Sequence, residues 1–312
     1  MGLRSFLFPK KVHTTQINPL YKASNLWPGG SAHSDFWLFR FLQHNQLLQY
    51  PVHIFSVFGH VPSLLPNEIN FFFTGENVHY KTFKKYENNA INIADAAIGF
   101  DYIQATNYTR FPLWLMYLFP PDATFETVEK IINQYNFSEN AIKRPTKFAM
   151  IASHDKRAGK RKKIIRFIEK NFGSVACAGK LLNNTDVLKR RYNDQKIDYL
   201  QTVCFNICPE NSNYSGYVTE KIFEAIQAGC IPIYWGSNNL PEPTILNQDA
   251  IVFFDAENKN NQLIDKINWF VEQKNIHEIP RFQKDAAKHI WQMMLNLKEL
   301  MQSAIDVKNA VV

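Results

Sequence analysis

A parallel α/β architecture in two domains follows from three observations on this chain. Short apolar runs that end at turn residues alternate with amphipathic helical stretches, the pattern of parallel strands covered by helices. The pattern restarts near residue 143, where Lys143, Arg144 and Pro145 read as a linker. The length of 312 residues suits two domains of ordinary size. The predicted divisions are 1–142, 143–275 and a closing helical segment at 276–312.

The elements follow in order. Residues 1–30, rich in Pro, Gly, Ser and Asn, read as an irregular arm. Residues 35–48 have helical spacing, and 52–57, 69–74 and 96–100 are apolar runs of strand length. Residues 124–135 form an amphipathic helix pattern. In the second half, 147–152, a run near 175, 202–207, 231–235 and 251–254 read as strands. Helices are predicted over 160–171, 219–228 and 261–273, and a long helical pattern spans 284–305.

Composition removes several classes. With 25 Phe and 46% hydrophobic residues the chain can bury a sizeable core, which excludes a disordered protein. No run approaches the roughly 20 apolar residues of a spanning helix. Residues 1–11 lack a long apolar region and a small-residue cleavage site, so the expectation is a cytoplasmic protein. Cys177, Cys204, Cys208 and Cys230 form no CxxC pair and have no His nearby to complete a metal set; they read as reduced, buried thiols. The net charge of +7 is concentrated at Lys156, Arg157, Lys160, Arg161, Lys162, Lys163 and Arg166. No aromatic residue interleaves that run, which argues against nucleic acid and leaves an anionic ligand or an anionic membrane surface.

The most informative segment is 209–237, PENSNYSGYVTEKIFEAIQAGCIPIYWGS. It reads as a polar loop after a strand, a helix start, a stop at Gly229 and a strand that ends at Gly236. Ligands of open α/β sheets gather outside the carboxyl ends of the strands, so the loop lies where a ligand binds. Thr219 is placed to cap the helix, whose first amides favour an anion. Lys221 adds a point charge and Glu220 two acceptor oxygens; the same pair would also serve as a solvated first turn.

Glu210-Asn211-Ser212, Tyr217-Val218-Thr219-Glu220-Lys221, Gly229, Ile231-Pro232-Ile233 and Gly236 closely resemble the signature of glycosyltransferase family 10, the α1,3/α1,4-fucosyltransferases. Pro209 departs from it, since many members have Phe there. Upstream, FFFTGENV at 71–78, AIGFD at 97–101 with Tyr108, Arg110 and Pro112, and KFAMIAS at 147–153 resemble blocks of the bacterial members.

The resemblance implies a GT-B-type fold: two Rossmann-like domains facing across a cleft, with a C-terminal helix returning to the first. It implies inverting transfer of L-fucose from GDP-fucose to a hydroxyl of an oligosaccharide or glycolipid acceptor. The family's usual bacterial reaction is α1,3 transfer to GlcNAc of N-acetyllactosamine-type chains on a Lewis-type lipopolysaccharide. By the same resemblance Glu76 is the general base. Arg161, with Arg157 next, and Lys221 hold the pyrophosphate, Glu220 takes ribose or fucose hydroxyls, and Asn211, Tyr217 and Ser153 complete the donor contacts. His79, Asp101 and Arg110 are acceptor-side candidates, with Trp114, Tyr117 and Phe119 as acceptor walls. No metal ligand is assigned and no Asp-x-Asp is present, so no cofactor is expected, a divalent cation acting at most as a stimulant.

The alternatives are a transferase for another GDP-deoxysugar, one with α1,4 linkage, or a non-catalytic basic protein that binds nucleic acid or a membrane surface. For the terminal helix the alternative is peripheral contact with the cytoplasmic face of the inner membrane.

Overall fold

The computed structural model describes residues 20–26, 36–137, 141–155, 159–257, 260–273 and 278–311. They form two compact units: one runs to Val128 and resumes at Lys288, the other spans Glu129–Ala287.

Unit 1 carries β1 (Tyr21–Ser24), α1 (Trp37–His44), β2 (Val52–Phe55), β3 (Ile69–Phe73), β4 (Ala96–Gly99), β5 (Tyr108–Arg110) and α2 (Trp114–Leu118). α3 (Phe125–Tyr135) starts in it and ends in unit 2. The five strands are parallel and lie in chain order, β1-β2-β3-β4-β5. β2, β3 and β4 are buried at every position, as parallel strands covered on both faces must be. The predicted arm is corrected in part: Tyr21–Ser24 is a strand, in register with Val52–Phe55. The rest of that arm lies outside the described residues, apart from Leu20, Asn25 and Leu26.

Unit 2 carries β6 (Thr146–Met150), α4 (Lys160–Phe172), β7 (Ala176–Cys177), α5 (Val187–Tyr192), α6 (Lys196–Leu200), β8 (Val203–Ile207), α7 (Glu220–Gln227), β9 (Ile231–Tyr234), β10 (Val252–Phe253) and α8 (Asn261–Glu272). Its sheet is also parallel, but the order is β7-β6-β8-β9-β10. The chain therefore leaves β6 to one side for β7 and returns to its other side for β8. That reversal is the switch point at which doubly wound sheets open a crevice. Ile164 and Ile168 of α4, and Ile267 and Phe270 of α8, pack with Phe205 and Ile233 of the sheet.

Arg144 corrects the linker reading. Its Nη1 donates to the carbonyls of Val203 at 3.0 Å and Ala228 at 2.9 Å, tying the start of β8 to the end of α7. The last helix, α9 (Ala286–Val311), belongs to unit 1 from Lys288 onward. Ile290, Met294, Leu297, Met301 and Ile305 are buried along one stripe, and Lys308 Nζ lies 3.3 Å from Asp95. Among the described residues no helix is long and apolar enough to cross a membrane.

Candidate active site

At the switch point a cavity of about 60 Å³ opens beyond the carboxyl ends of β6 and β8. Arg161 from α4, Lys196 from α6, and Glu220, Lys221 and Glu224 from α7 line it.

Glu210, three residues past β8 and 2% exposed, organises the charges. Its Oε1 accepts the Thr219 amide at 2.8 Å; its Oε2 accepts the Thr219 hydroxyl at 2.8 Å and Lys221 Nζ at 3.1 Å. A carboxylate this buried persists only because donors saturate it. One expectation is corrected here: Thr219 makes no side-chain cap of α7, because its amide and hydroxyl both donate to Glu210. At the start of α4 the Arg161 and Lys162 amides both donate to Asp155 at 3.1 Å. Beside these groups stand the cationic side chains.

Those side chains are held in pairs. Arg161, 8% exposed, donates to Asn211 Oδ1 at 2.7 Å and to the His154 carbonyl. Burial pulls its guanidinium below the usual range, while Asp155 and Glu210 hold it up. Lys221 reaches Thr219 Oγ1 at 2.6 Å and stands 3.5 Å from Glu220. Burial works against its charge, but Glu210 and Glu220 outweigh it and raise the ammonium above its ordinary value. For Glu220, burial opposes ionisation, yet Lys221 and Lys196 leave its carboxyl below the normal range. Burial lifts Glu224 instead, against Lys196 at 3.0 Å. Tyr217 is buried and close enough to bear on the charges of both Arg161 and Lys221. Ser153 is exposed and makes no hydrogen bond to this cluster, and Arg157 lies outside the described residues.

Sequence reasoning missed Glu210 and the Lys196–Glu224 pair as site residues. Glu210 had a signal, an acid directly after a strand and next to Asn211. Lys196 had none, because only the fold carries α6 to the end of β8.

In unit 1 the acceptor-side candidates gather beyond β3, β4 and β5. Thr74 Oγ1 accepts the Glu76 amide at 3.0 Å and donates to the Glu76 carbonyl at 3.1 Å, shaping the turn that presents the half-buried Glu76. His79 Nε2 lies 2.9 Å from both carboxylate oxygens of Asp101, and Asn89 donates to Asp101 Oδ2 at 2.6 Å. Arg110 Nε donates to the Phe100 carbonyl at 2.8 Å, and its guanidinium sits 4.4 Å from the ring centre of the exposed Tyr102. Trp114 and Phe119 are fully buried, which corrects their reading as acceptor walls: they are core.

Comparison with known proteins agrees with this architecture. Residues 22–117 match the family model for the α-(1,3)-fucosyltransferase FucT N-terminal domain. Residues 141–282 match that for the glycosyltransferase family 10 (fucosyltransferase) C-terminal region. The α-(1,3)-fucosyltransferase FucT of Helicobacter pylori is 26% identical over 264 residues, 74% of this chain and 51% of that protein. The α-(1,3)-fucosyltransferase B of Drosophila melanogaster is 24% identical over 187 residues, 57% of this chain and 41% of that one. The chain thus spans about half the length of the curated relatives it matches. A crystal structure of an α1,3-fucosyltransferase with GDP-fucose superposes with a TM-score of 0.57 at 20% identity, covering 96% of each chain, and carries the GT-B-type fold class. The two family models reach into every strand of both sheets, and this chain belongs to glycosyltransferase family 10.

Proposed function

We propose that this protein is an inverting transferase that moves L-fucose from GDP-fucose to a hydroxyl of a saccharide acceptor. α1,3 transfer to GlcNAc of an N-acetyllactosamine-type chain on the cytoplasmic side is its specific form. The observation that carries the reading is the switch-point cluster, in which Arg161 and Lys196 gather around Glu210, Glu220 and Lys221 of the family signature. The names of the relatives and the sugar nucleotide of the solved neighbour support the donor.

In this mechanism the diphosphate takes Arg161, whose planar fork suits two phosphate oxygens, in place of the neutral Asn211 carbonyl that holds it now. Lys221 turns from Thr219 toward phosphate while Glu210 keeps its charge compensated. A cavity of about 60 Å³ is smaller than a sugar nucleotide, so the donor extends beyond it. Glu220 accepts sugar hydroxyls. Glu76 takes the acceptor proton as that oxygen attacks the anomeric carbon, and the cations absorb the charge of the departing GDP. No bond to the enzyme forms and no metal is needed.

The test is incubation with GDP-fucose and a panel of β-galactosyl and N-acetylglucosaminyl acceptors, with and without EDTA. Transfer with EDTA present is expected. Turnover of a different GDP-deoxysugar, with none of GDP-fucose, would replace the donor assignment. Activity abolished by EDTA and restored by manganese would overturn the metal-free mechanism.

A further inference from the structure

Past the carboxyl end of β4 the segment Phe100-Asp101-Tyr102 is held at several points. The Phe100 carbonyl accepts Arg110 Nε at 2.8 Å, and the Phe100 ring meets the His79 ring edge-on, 6.2 Å between centres. The Asp101 carboxylate is engaged by His79 and Asn89, and the Asp101 carbonyl accepts the Tyr108 hydroxyl at 3.0 Å. Gly99, just before the segment, leaves no room for a side chain: an added Cβ would run into Asn89 Oδ1. The last residue of this frame stands in water. Tyr102 is 61% exposed, although the Arg110 guanidinium lies 4.4 Å from its ring centre. Fixing a large side chain costs conformational entropy, and burial, the usual compensation, is slight at this residue. What the frame achieves is a flat aromatic face presented at a set orientation.

Its place is beside the candidate base. Glu76 stands three residues past the end of β3, and Tyr102 three residues past the end of β4. The two strands are hydrogen-bonded neighbours, and paired strands lie about 4.8 Å apart, so their loops run side by side. His79, three residues after Glu76, joins the loops through Asp101.

We propose that Tyr102 is the platform of an acceptor subsite, on which a galactosyl ring adjoining the fucosylated sugar stacks. This rests on the reading of the chain as a fucosyltransferase of saccharides. A platform one loop away from Glu76 does not suit the sugar whose hydroxyl must reach the base; it suits the next ring of the acceptor. The axial 4-hydroxyl of a β-galactoside leaves the hydrogens at C3, C4 and C5 together on one face. That apolar, slightly positive face matches the electron-rich face of an aromatic ring. His79 and Asp101 then act as a positioning pair that keeps the platform in register with the base loop.

Saturation-transfer difference NMR on the full chain with N-acetyllactosamine, in the presence of GDP, reads which sugar protons touch the protein. Saturable binding is expected, with the strongest transfer to the galactosyl protons at C3, C4 and C5. Tyr102→Ala and Tyr102→Leu, the second apolar but without a ring, should each weaken binding about tenfold, the size of one aromatic stacking contact. Tyr102→Phe should bind like the wild type, and the GDP-induced melting shift is the control for folding. In the transfer assay, the preference for N-acetyllactosamine over N-acetylglucosamine in kcat/KM should shrink by the same factor in the two ring-less variants. Absence of saturable disaccharide binding, strongest transfer to the N-acetylglucosaminyl ring, or undiminished binding in both ring-less variants overturns the platform. Galactosyl-centred binding that is lost with the Tyr102 ring, in a protein that transfers nothing from GDP-fucose, upholds the platform and overturns the fucosyltransferase reading instead.

Discussion

Glu210 shows how one side chain sets the terms for its neighbours. It holds Thr219 at the start of α7, neutralises Lys221 and lies against Gly236, whose added Cβ would sit 2.7 Å from Glu210 Cγ. Glu210→Gln keeps that shape and removes the charge, leaving Lys221 without its buried partner. The expected cost is about 3 kcal/mol in denaturant unfolding together with weaker GDP binding. A variant that unfolds like wild type would show that Glu210 is not the hub. Glu76 should behave in the opposite way. Glu76→Gln should lower kcat about 10²- to 10⁴-fold with the GDP Kd unchanged, because a base acts only as the hydroxyl attacks. Lys221→Ala should weaken GDP binding as well, since phosphate charge is already present in the ground state. Retention of more than about a tenth of turnover in Glu76→Gln would assign the base elsewhere. A third residue governs acid stability. His53 is fully buried, 2.6 Å from Ser24 Oγ, and burial pushes it down to about 4, with Lys22 adding and Glu68 opposing. An unfolded His titrates near 6.5, so the unfolded chain takes up a proton that the folded one refuses between those values. Stability is full above that window and falls by about 3 kcal/mol as pH drops through it. His53→Gln should flatten the stability profile over the same range; an unchanged slope would rule out His53 as its source.

At the scale of elements, the stretches that were legible beforehand are those whose own residues make a stripe or an apolar run. α4 buries Ile164, Ile165 and Ile168, and β8 is buried throughout, so both announce themselves. α5 and α6 do not, because VLKRRY buries only Leu188, and KIDYL only Tyr199 and Leu200. β5 has three residues and is defined by its pairing of Tyr108 with Ala97, a partner invisible to local pattern. β1 hides likewise in a polar segment and is ordered by β2. The same reasoning applies to the site. The signature residues were readable, whereas Lys196 works through a contact with a position far along the chain. The turn after β9 is a further case, since Gly236 reads as a turn residue but its reason is Glu210 beneath it. With φ at 146° and that carboxylate side chain in the way, Gly236→Ala should cost about 1 to 3 kcal/mol and weaken GDP binding in parallel. Thermal melts matching wild type would separate the turn from the hub.

For the molecule as a whole, the reading of unit 2 as the donor unit predicts a selective response to nucleotides. GDP at 100 times its Kd should add about 2.7 kcal/mol to stability, and UDP much less at equal concentration. Identical melting shifts for the two would count against the donor assignment. The division of the chain has a consequence of another kind. Unit 2 closes at Ala287, but unit 1 resumes at Lys288 and takes Leu297, Met301 and Ile305 of α9 into its interior. Folding during synthesis generally proceeds from the amino-terminal domain onward. Here that order is inverted. A nascent chain presents the strands of unit 1 before unit 2, yet the apolar flank that α9 covers stays bare until α9 has left the ribosome. The later half can be finished while the earlier half is still waiting, which makes the interval before α9 arrives the moment when this chain is most exposed to chaperones and to aggregation.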